Sequence, residues 1–157
     1  MDKSFDMFIE TEVPRGELII SRTDLSGKIT YVNETFAEIS GYKPQELEGK
    51  SHNIIRHPDM PQSIFENLWQ TLHKGESWEG YVKNIRKDMG YYWVFARVSP
   101  LMKGGKVIEY KSVREPISLE EKKEMQNLYD KKREQEEGVT RVVLYVETQK
   151  LDILETL

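Results

Sequence analysis

Cysteine is absent from the 157 residues of this chain. Disulfides, thiolate metal sites and cysteine nucleophiles are thereby excluded, and the composition suits a reducing compartment. Long apolar runs are also missing: none approaches the ~20 residues that cross a bilayer. The opening Met1-Asp2-Lys3-Ser4-Phe5-Asp6 carries acids where a secretory leader carries basic residues, so a cytoplasmic location without membrane insertion is expected. There is no excess of positive charge either. The formal net charge is −4, which gives no electrostatic case for nucleic acid. No nucleophile–base pattern, metal-spaced cluster or phosphate-cradling glycine loop stands out, so an enzyme is not expected. What remains is a composition 38% hydrophobic and 32% charged, suited to one domain with a charged helical extension.

Residues 1–17 are polar with scattered apolar positions and read as an N-terminal cap of a helical turn or two, broken by Pro14-Arg15-Gly16. Leu18–Thr23 and Lys28–Val32 alternate as strands around the turn Asp24-Leu25-Ser26-Gly27, which predicts a hairpin. Asn33 is placed as N-cap of a short helix through Ser40 that Gly41 ends. Pro44–Leu47 is a further helical turn. A longer helix from Pro61 to about Lys74 carries Ile64, Phe65, Leu68, Trp69 and Leu72 on one stripe. Three strands follow: Trp78–Arg86, Tyr91–Ser99 (closed by Pro100) and Val107–Arg114. Two strands, small helices and three more strands predict an α+β domain over 18–117, one antiparallel five-stranded sheet with helices on one face. Residues 118–137 form a charged helix whose sparse apolar positions are Leu119, Met125, Leu128 and Tyr129. Residues 138–157 are a tail without a fold assignment.

The stretch Ser51-His52-Asn53-Ile54-Ile55-Arg56-His57-Pro58-Asp59-Met60-Pro61 places two histidines, an arginine, an aspartate and two prolines within eleven residues. Each proline lacks an N–H and disfavours helix in the residue before it, so regular structure stops here. Charged groups on a stiff bend ahead of an apolar helix suit either the mouth of a pocket or a braced surface loop.

The element order resembles a PAS domain, as do Gly27-Lys28-Ile29-Thr30-Tyr31-Val32-Asn33-Glu34-Thr35-Phe36 with Ser40-Gly41-Tyr42 and Glu46-Leu47-Glu48-Gly49. His52 to Pro61, Leu68-Trp69, Lys74-Gly75-Glu76, Trp78, Gly80, Lys83-Asn84 and Tyr92-Trp93-Val94 resemble, more narrowly, the PAS domain of aerotaxis and energy-taxis receptors. The resemblance covers about Leu18 to Ile117. It implies FAD binding and the reporting of redox state, or oxygen, to chemotaxis signalling. The sequence contains no membrane span, HAMP-like region or signalling coiled coil. It therefore looks more like the PAS-only half of a two-protein sensor whose partner is a separate membrane-bound chemotaxis transducer. PAS domains also pair through terminal helices or the open sheet face, so a homodimer is a further expectation.

A flavin needs an apolar slot, hydrogen-bond partners for the ring's polar edge, and cations for its phosphates. Trp69 and Trp78 are candidates for the slot, although both also suit ordinary core packing. Trp78 could donate its indole N–H to the ligand. Asn84 is the candidate for the ring edge, since an amide both donates and accepts. Arg56 and His57 match motif positions expected near the pyrophosphate or ribitol, with Asp59 orienting one of them. Asn33 is a secondary candidate near the ligand, beside its simpler role as N-cap. His52 is read as structural, and His73 as a cation favoured by the end of its helix. The alternatives are a haem-binding gas sensor with His57 or His73 as axial ligand, and a ligand-free interaction module. Without cysteine, a flavin–thiol photoadduct is excluded.

Overall fold

The computed structural model describes residues 9–138. The tail at 139–157 and the first part of the N-terminal cap lie outside the described residues. Strand β1 (Ile19–Thr23) and strand β2 (Ile29–Val32) form the expected hairpin. In its turn the Asp24 carboxylate accepts from the Ser26 and Lys28 amides at 2.9 and 3.0 Å. Gly27 follows at φ 90°, a left-handed conformation that favours glycine. Helices α1 (Glu34–Ser40) and α2 (Pro44–Leu47) come next, then a 3-10 turn at His52–Ile55 and helix α3 (Gln62–His73). Strands β3 (Trp78–Ile85), β4 (Tyr91–Lys103) and β5 (Lys106–Glu115) complete an antiparallel sheet in the order β2-β1-β5-β4-β3. Helix α4 spans Leu119–Glu137.

Asn33 fixes the junction between hairpin and helices. Its side-chain oxygen accepts from the Phe36 and Ile20 amides (3.0 and 3.1 Å), and its amide donates to the Leu18 carbonyl at 2.8 Å. The side chain is thus used up as an N-cap and a link to β1. Pro100 does not close β4 as expected. The β3–β4 pairing ends at Trp78–Val98, so beyond that point β4 has a neighbour on one side only. A residue without an N–H is tolerated there as on an edge strand.

Alternation gives the sheet two faces. Val82 and Asn84 of β3, Val94 and Ala96 of β4, and Tyr110, Ser112 and Arg114 of β5 point inward under α1 and α3. Tyr81, Lys83 and Trp93 point the other way. There α4 crosses the outer face, with the Tyr129 ring stacked on Trp93 (centroids 6.2 Å, planes 23° apart) and its hydroxyl donating to the Tyr81 carbonyl at 2.6 Å. Residues 9–11 pair with the start of β4: the Tyr91 amide donates to the Ile9 carbonyl at 3.0 Å and the Thr11 amide to the Tyr91 carbonyl at 2.8 Å. Glu10 holds Lys122 of α4 at 2.6 Å. No described helix is long and apolar enough to cross a membrane.

Candidate functional site

A cavity lies between the inner sheet face and α3, closed at one side by the 3-10 turn. The apolar stripe of α3 supplies one wall through Phe65, Leu68 and Trp69, and Val82, Ala96 and Val98 supply the sheet wall. Gly27 lets the hairpin turn approach: a Cβ there would sit 3.4 Å from the Trp69 ring. At Gly80 a Cβ would come within 2.4 Å of the Trp78 ring, so any side chain there displaces the indole. Trp78 itself lines the cavity, but its N–H is not offered to a ligand; it donates to Asn67 of α3 at 2.9 Å and ties the start of β3 to that helix.

The floor is polar and charged. Arg114 is 4% exposed and lines the cavity with His52 and Ser112. Its Nη2 donates to His52 Nε2 at 2.7 Å and to the Ser21 hydroxyl at 3.1 Å, and its guanidinium lies 5.3 Å from the Phe36 ring centre. Burial pulls the Arg114 pKa down to about 10. A guanidinium has only donors, so His52 Nε2 must be the acceptor and the ring is neutral. Burial first, and the neighbouring Arg114 second, push the His52 pKa down to about 3. Arg114 Nη1, Ser112 Oγ and Asn84 Nδ2 are buried without a hydrogen-bond partner among the described residues. The Asn84 amide lies beside the Tyr92 hydroxyl, but no hydrogen bond closes between them. Burial pushes that phenol up to about 12. Buried polar groups are normally satisfied, so three orphans on one cavity floor mark a place for ligand atoms.

Of the residues the sequence singles out, Arg56, Trp69, Trp78 and Asn84 come together at this cavity. Arg56 stacks its guanidinium 3.9 Å from the Phe65 ring centre, and its backbone forms a bridge with Asn84. His57, Asp59 and Asn33 do not line it, and neither does His73. The chain turns at Arg56, so that His57 and Asp59 are buried on the far side of β3. There His57 Nδ1 accepts from the Asp59 amide at 3.0 Å, and the Asp59 carboxylate holds Lys83 Nζ at 2.9 Å. The bond to His57 comes from the Asp59 backbone amide, while the Asp59 carboxylate is engaged by Lys83, outside the cavity. Sequence reasoning passes over Arg114 and Ser112 and reads His52 as structural. The available signal was parity: Tyr110, Ser112 and Arg114 share the inward register of β5, and a charged residue there has no structural reason to be inside.

The polar set fits a flat heteroaromatic ligand with acceptors at its edge. Size sets a condition. The cavity is partly open and holds about 90 Å³, below the ~150 Å³ of a core cavity that takes up benzene. A fused ring system enters only when the half-buried Phe65 and Trp69 side chains swing aside.

The PAS-fold family matches residues 29–114. Over 111 residues the chain is 47% identical to the aerotaxis receptor of Escherichia coli (strain K12), covering 71% of this chain and 22% of the receptor. It is 31% identical over 112 residues to the biofilm dispersion protein BdlA of Pseudomonas aeruginosa, covering 68% of this chain and 27% of that protein. The chain thus spans about a quarter or less of these relatives. Among solved structures, a light-oxygen-voltage domain studied with a flavin analogue superposes with TM-score 0.64 at 23% identity, covering 71% of this chain and 85% of that one. The five-stranded sheet in the order β2-β1-β5-β4-β3, the helices on its inner face and the matched residues agree: this chain belongs to the PAS family, and its PAS region is similar to that of an aerotaxis receptor.

Proposed function

We propose that the chain is an FAD-binding redox sensor that reports to a chemotaxis transducer by protein contact, without catalytic turnover. One observation carries the reading: a buried arginine with a free Nη1 and a free Asn84 amide both line a cavity whose other wall is the apolar stripe of α3. A buried cation without an anionic partner is costly to keep. A ring that gains negative charge on reduction would repay that cost. The similarity to an aerotaxis receptor and the fold shared with a light-oxygen-voltage domain support the same ligand class.

Bound FAD would supply a ring that takes up electrons and changes charge at its polar edge. Leu68, Trp69 and Val82 exclude water from it. The Asn84 amide donates and accepts along that edge, and Arg114 stabilises negative charge there. Arg56, half-buried on Phe65, offers a cation to the phosphates. A cytoplasmic location and a separate transducer chain belong to the same proposal. The test is the visible spectrum of the purified full chain, with FAD added and then released by heat. A two-band flavin spectrum and recovered FAD are expected; a protein that stays colourless with FAD defeats the reading, and a lone Soret band turns it to haem.

Arg114→Met separates ligand from scaffold. In the variant the reduction potential of bound FAD is expected to fall on the order of 100 mV, since a charge pair at about 4 Å in a partly screened site is worth a few kcal/mol. FAD affinity falls with it. The melting temperature without ligand stays near that of the wild type, because methionine relieves a buried charge and His52 Nε2 keeps the Ser21 hydroxyl at 3.3 Å. An unchanged potential together with a large loss of ligand-free stability would make Arg114 a scaffold residue.

A further inference from the structure

The cavity floor carries a charge that the surrounding chain does not balance. Arg114 is 4% exposed, and among the described residues its guanidinium meets His52, Ser21 and the face of Phe36 rather than a carboxylate. No aspartate or glutamate lines the cavity, whereas Arg56 adds a second, half-buried cation. His52 does not serve as counter-charge, since it accepts from Arg114 as a neutral ring. Nor does Tyr92, a phenol that burial keeps protonated.

The free donors are single groups. A guanidinium often meets a carboxylate or phosphate as a fork, two parallel N–H groups to two oxygens. Here both hydrogens of Nη2 are committed, one to His52 Nε2 at 2.7 Å and one to Ser21 Oγ at 3.1 Å, so the Nη1–Nη2 fork is closed. What remains is Nη1, with Ser112 Oγ and Asn84 Nδ2, all buried without a hydrogen-bond partner among the described residues. Lone N–H and O–H groups from three side chains suit a spherical acceptor better than a planar one. The volume agrees. About 90 Å³ is short for a fused ring system, but it holds an ion little larger than a water molecule, whose share of the liquid is ~30 Å³.

We propose that the flavin-free chain binds a halide-sized monoanion on Arg114 Nη1, Ser112 Oγ and Asn84 Nδ2, and that this ion and a flavin ring compete for the cavity floor. Between opposite charges in a largely water-free site the attraction is strong, and it offsets the ion's lost hydration only because hydrogen-bond donors are already in place around it. The anion site stands without the flavin reading; the competition rests on it.

The test uses the full chain freed of flavin, with chloride replaced by gluconate at constant ionic strength so that general screening is unchanged. From about 1 to about 200 mM chloride the wild-type melting temperature is expected to rise by about 5 °C, as for a ligand that binds only the folded state. Arg114→Met is expected to show no rise, and Ser112→Ala a smaller one. Iodide gives a direct reading, because Trp69 and Trp78 line the cavity. Their fluorescence is expected to show a saturable quenching that chloride reverses and that Arg114→Met lacks. If Arg114→Met does not fold, the weakening of that quenching in Ser112→Ala decides the matter. A melting temperature indifferent to chloride, with iodide quenching that never saturates, overturns the site. So does a chloride effect that persists in Arg114→Met, which would belong to surface cations. In the flavin arm, FAD affinity is expected to fall several-fold over the same chloride range. FAD binding that ignores chloride, in a chain that chloride stabilises, puts the ion elsewhere and overturns the proposal. A chain that binds no FAD defeats the proposed function alone, and the melting and quenching arms still decide the anion site.

Discussion

Asp59→Ala is expected to destabilise the folded chain by about 3–5 kcal/mol, the cost of removing one partner from a buried charge pair. The carboxylate is 2% exposed, and it is the anion that meets Lys83 at 2.9 Å. Without it the Lys83 ammonium stays buried against the neutral Gln126 and the Tyr91 ring, 4.5 Å from the ring centre, with Arg133 on the same side. Proximity alone does not produce such an effect. Lys87 and Glu46 approach more closely, at 2.6 Å, but in water, where screening and side-chain entropy cancel most of the attraction. The double variant Asp59→Leu with Lys83→Met removes both charges and is expected to recover at least half of the loss, since well-packed apolar pairs often replace buried ion pairs at little cost. Urea midpoints for Asp59→Leu, Lys83→Met and the double variant close the cycle. A loss below ~1 kcal/mol for Asp59→Ala, the range of a surface pair, would show that Lys83 relaxes into solvent and that no buried network exists. Because Asp59 shares its segment with Arg56, the same variant is expected to weaken any cavity ligand without contacting it.

The sheet was legible because its strands alternate and its turns carry Asp24, Gly27 and Gly104-Gly105 at the required places. Helix α1 was legible from its caps, Asn33 before it and Gly41 after it, and α3 from its apolar stripe. The docking face of α4 was not. Leu119 and Leu128, expected to pack, are 63% and 52% exposed, whereas Lys122 and Arg133 are buried with Tyr129. The helix docks on positions 122, 126, 129 and 133, a proper helical face, but three of the four are polar, and a search for apolar periodicity passes over them. The same limit acted at the site. Trp69, Trp78 and Asn84 were legible as aromatic and amide side chains suited to a slot, and Arg56 only through the motif that the resemblance supplies. His57 and Asp59, expected near the pyrophosphate or ribitol, do not line the cavity, and no local signal says which way a chain turns after Arg56. Arg114 was passed over and His52 read as structural because their meaning is mutual: neither points to a cavity until the fold brings Nη2 and Nε2 to 2.7 Å.

Acid should unfold this chain earlier than its carboxylates alone would require. His52 and His57 are both buried and neutral, with pKa values pushed down to about 3 and about 4. Burial is the first cause for each; Arg114 adds to it at His52, and Lys83 at His57, where Asp59 opposes. A histidine whose folded pKa lies below its unfolded value binds its proton more readily when unfolded, so the folded state is favoured fully above about pH 6.5 and loses ground as pH falls. Each pH unit below that point costs about 1.4 kcal/mol per histidine until the folded pKa is reached. By pH 4.5 the two together are expected to remove roughly 5 kcal/mol, a large part of the stability of a small domain. The diagnostic window is pH 6.5 to 5, above the range in which ordinary carboxylates titrate. Denaturant midpoints across that window should slope steeply for the wild type and about half as steeply for His52→Gln, whose amide oxygen can still accept from Arg114. A wild-type midpoint that stays flat from pH 7 to 5 would mean that the cavity floor admits a proton at no cost. The Arg114–His52 pair would then be open to water, and a cavity floor in water could not use Arg114 to favour a charged ring.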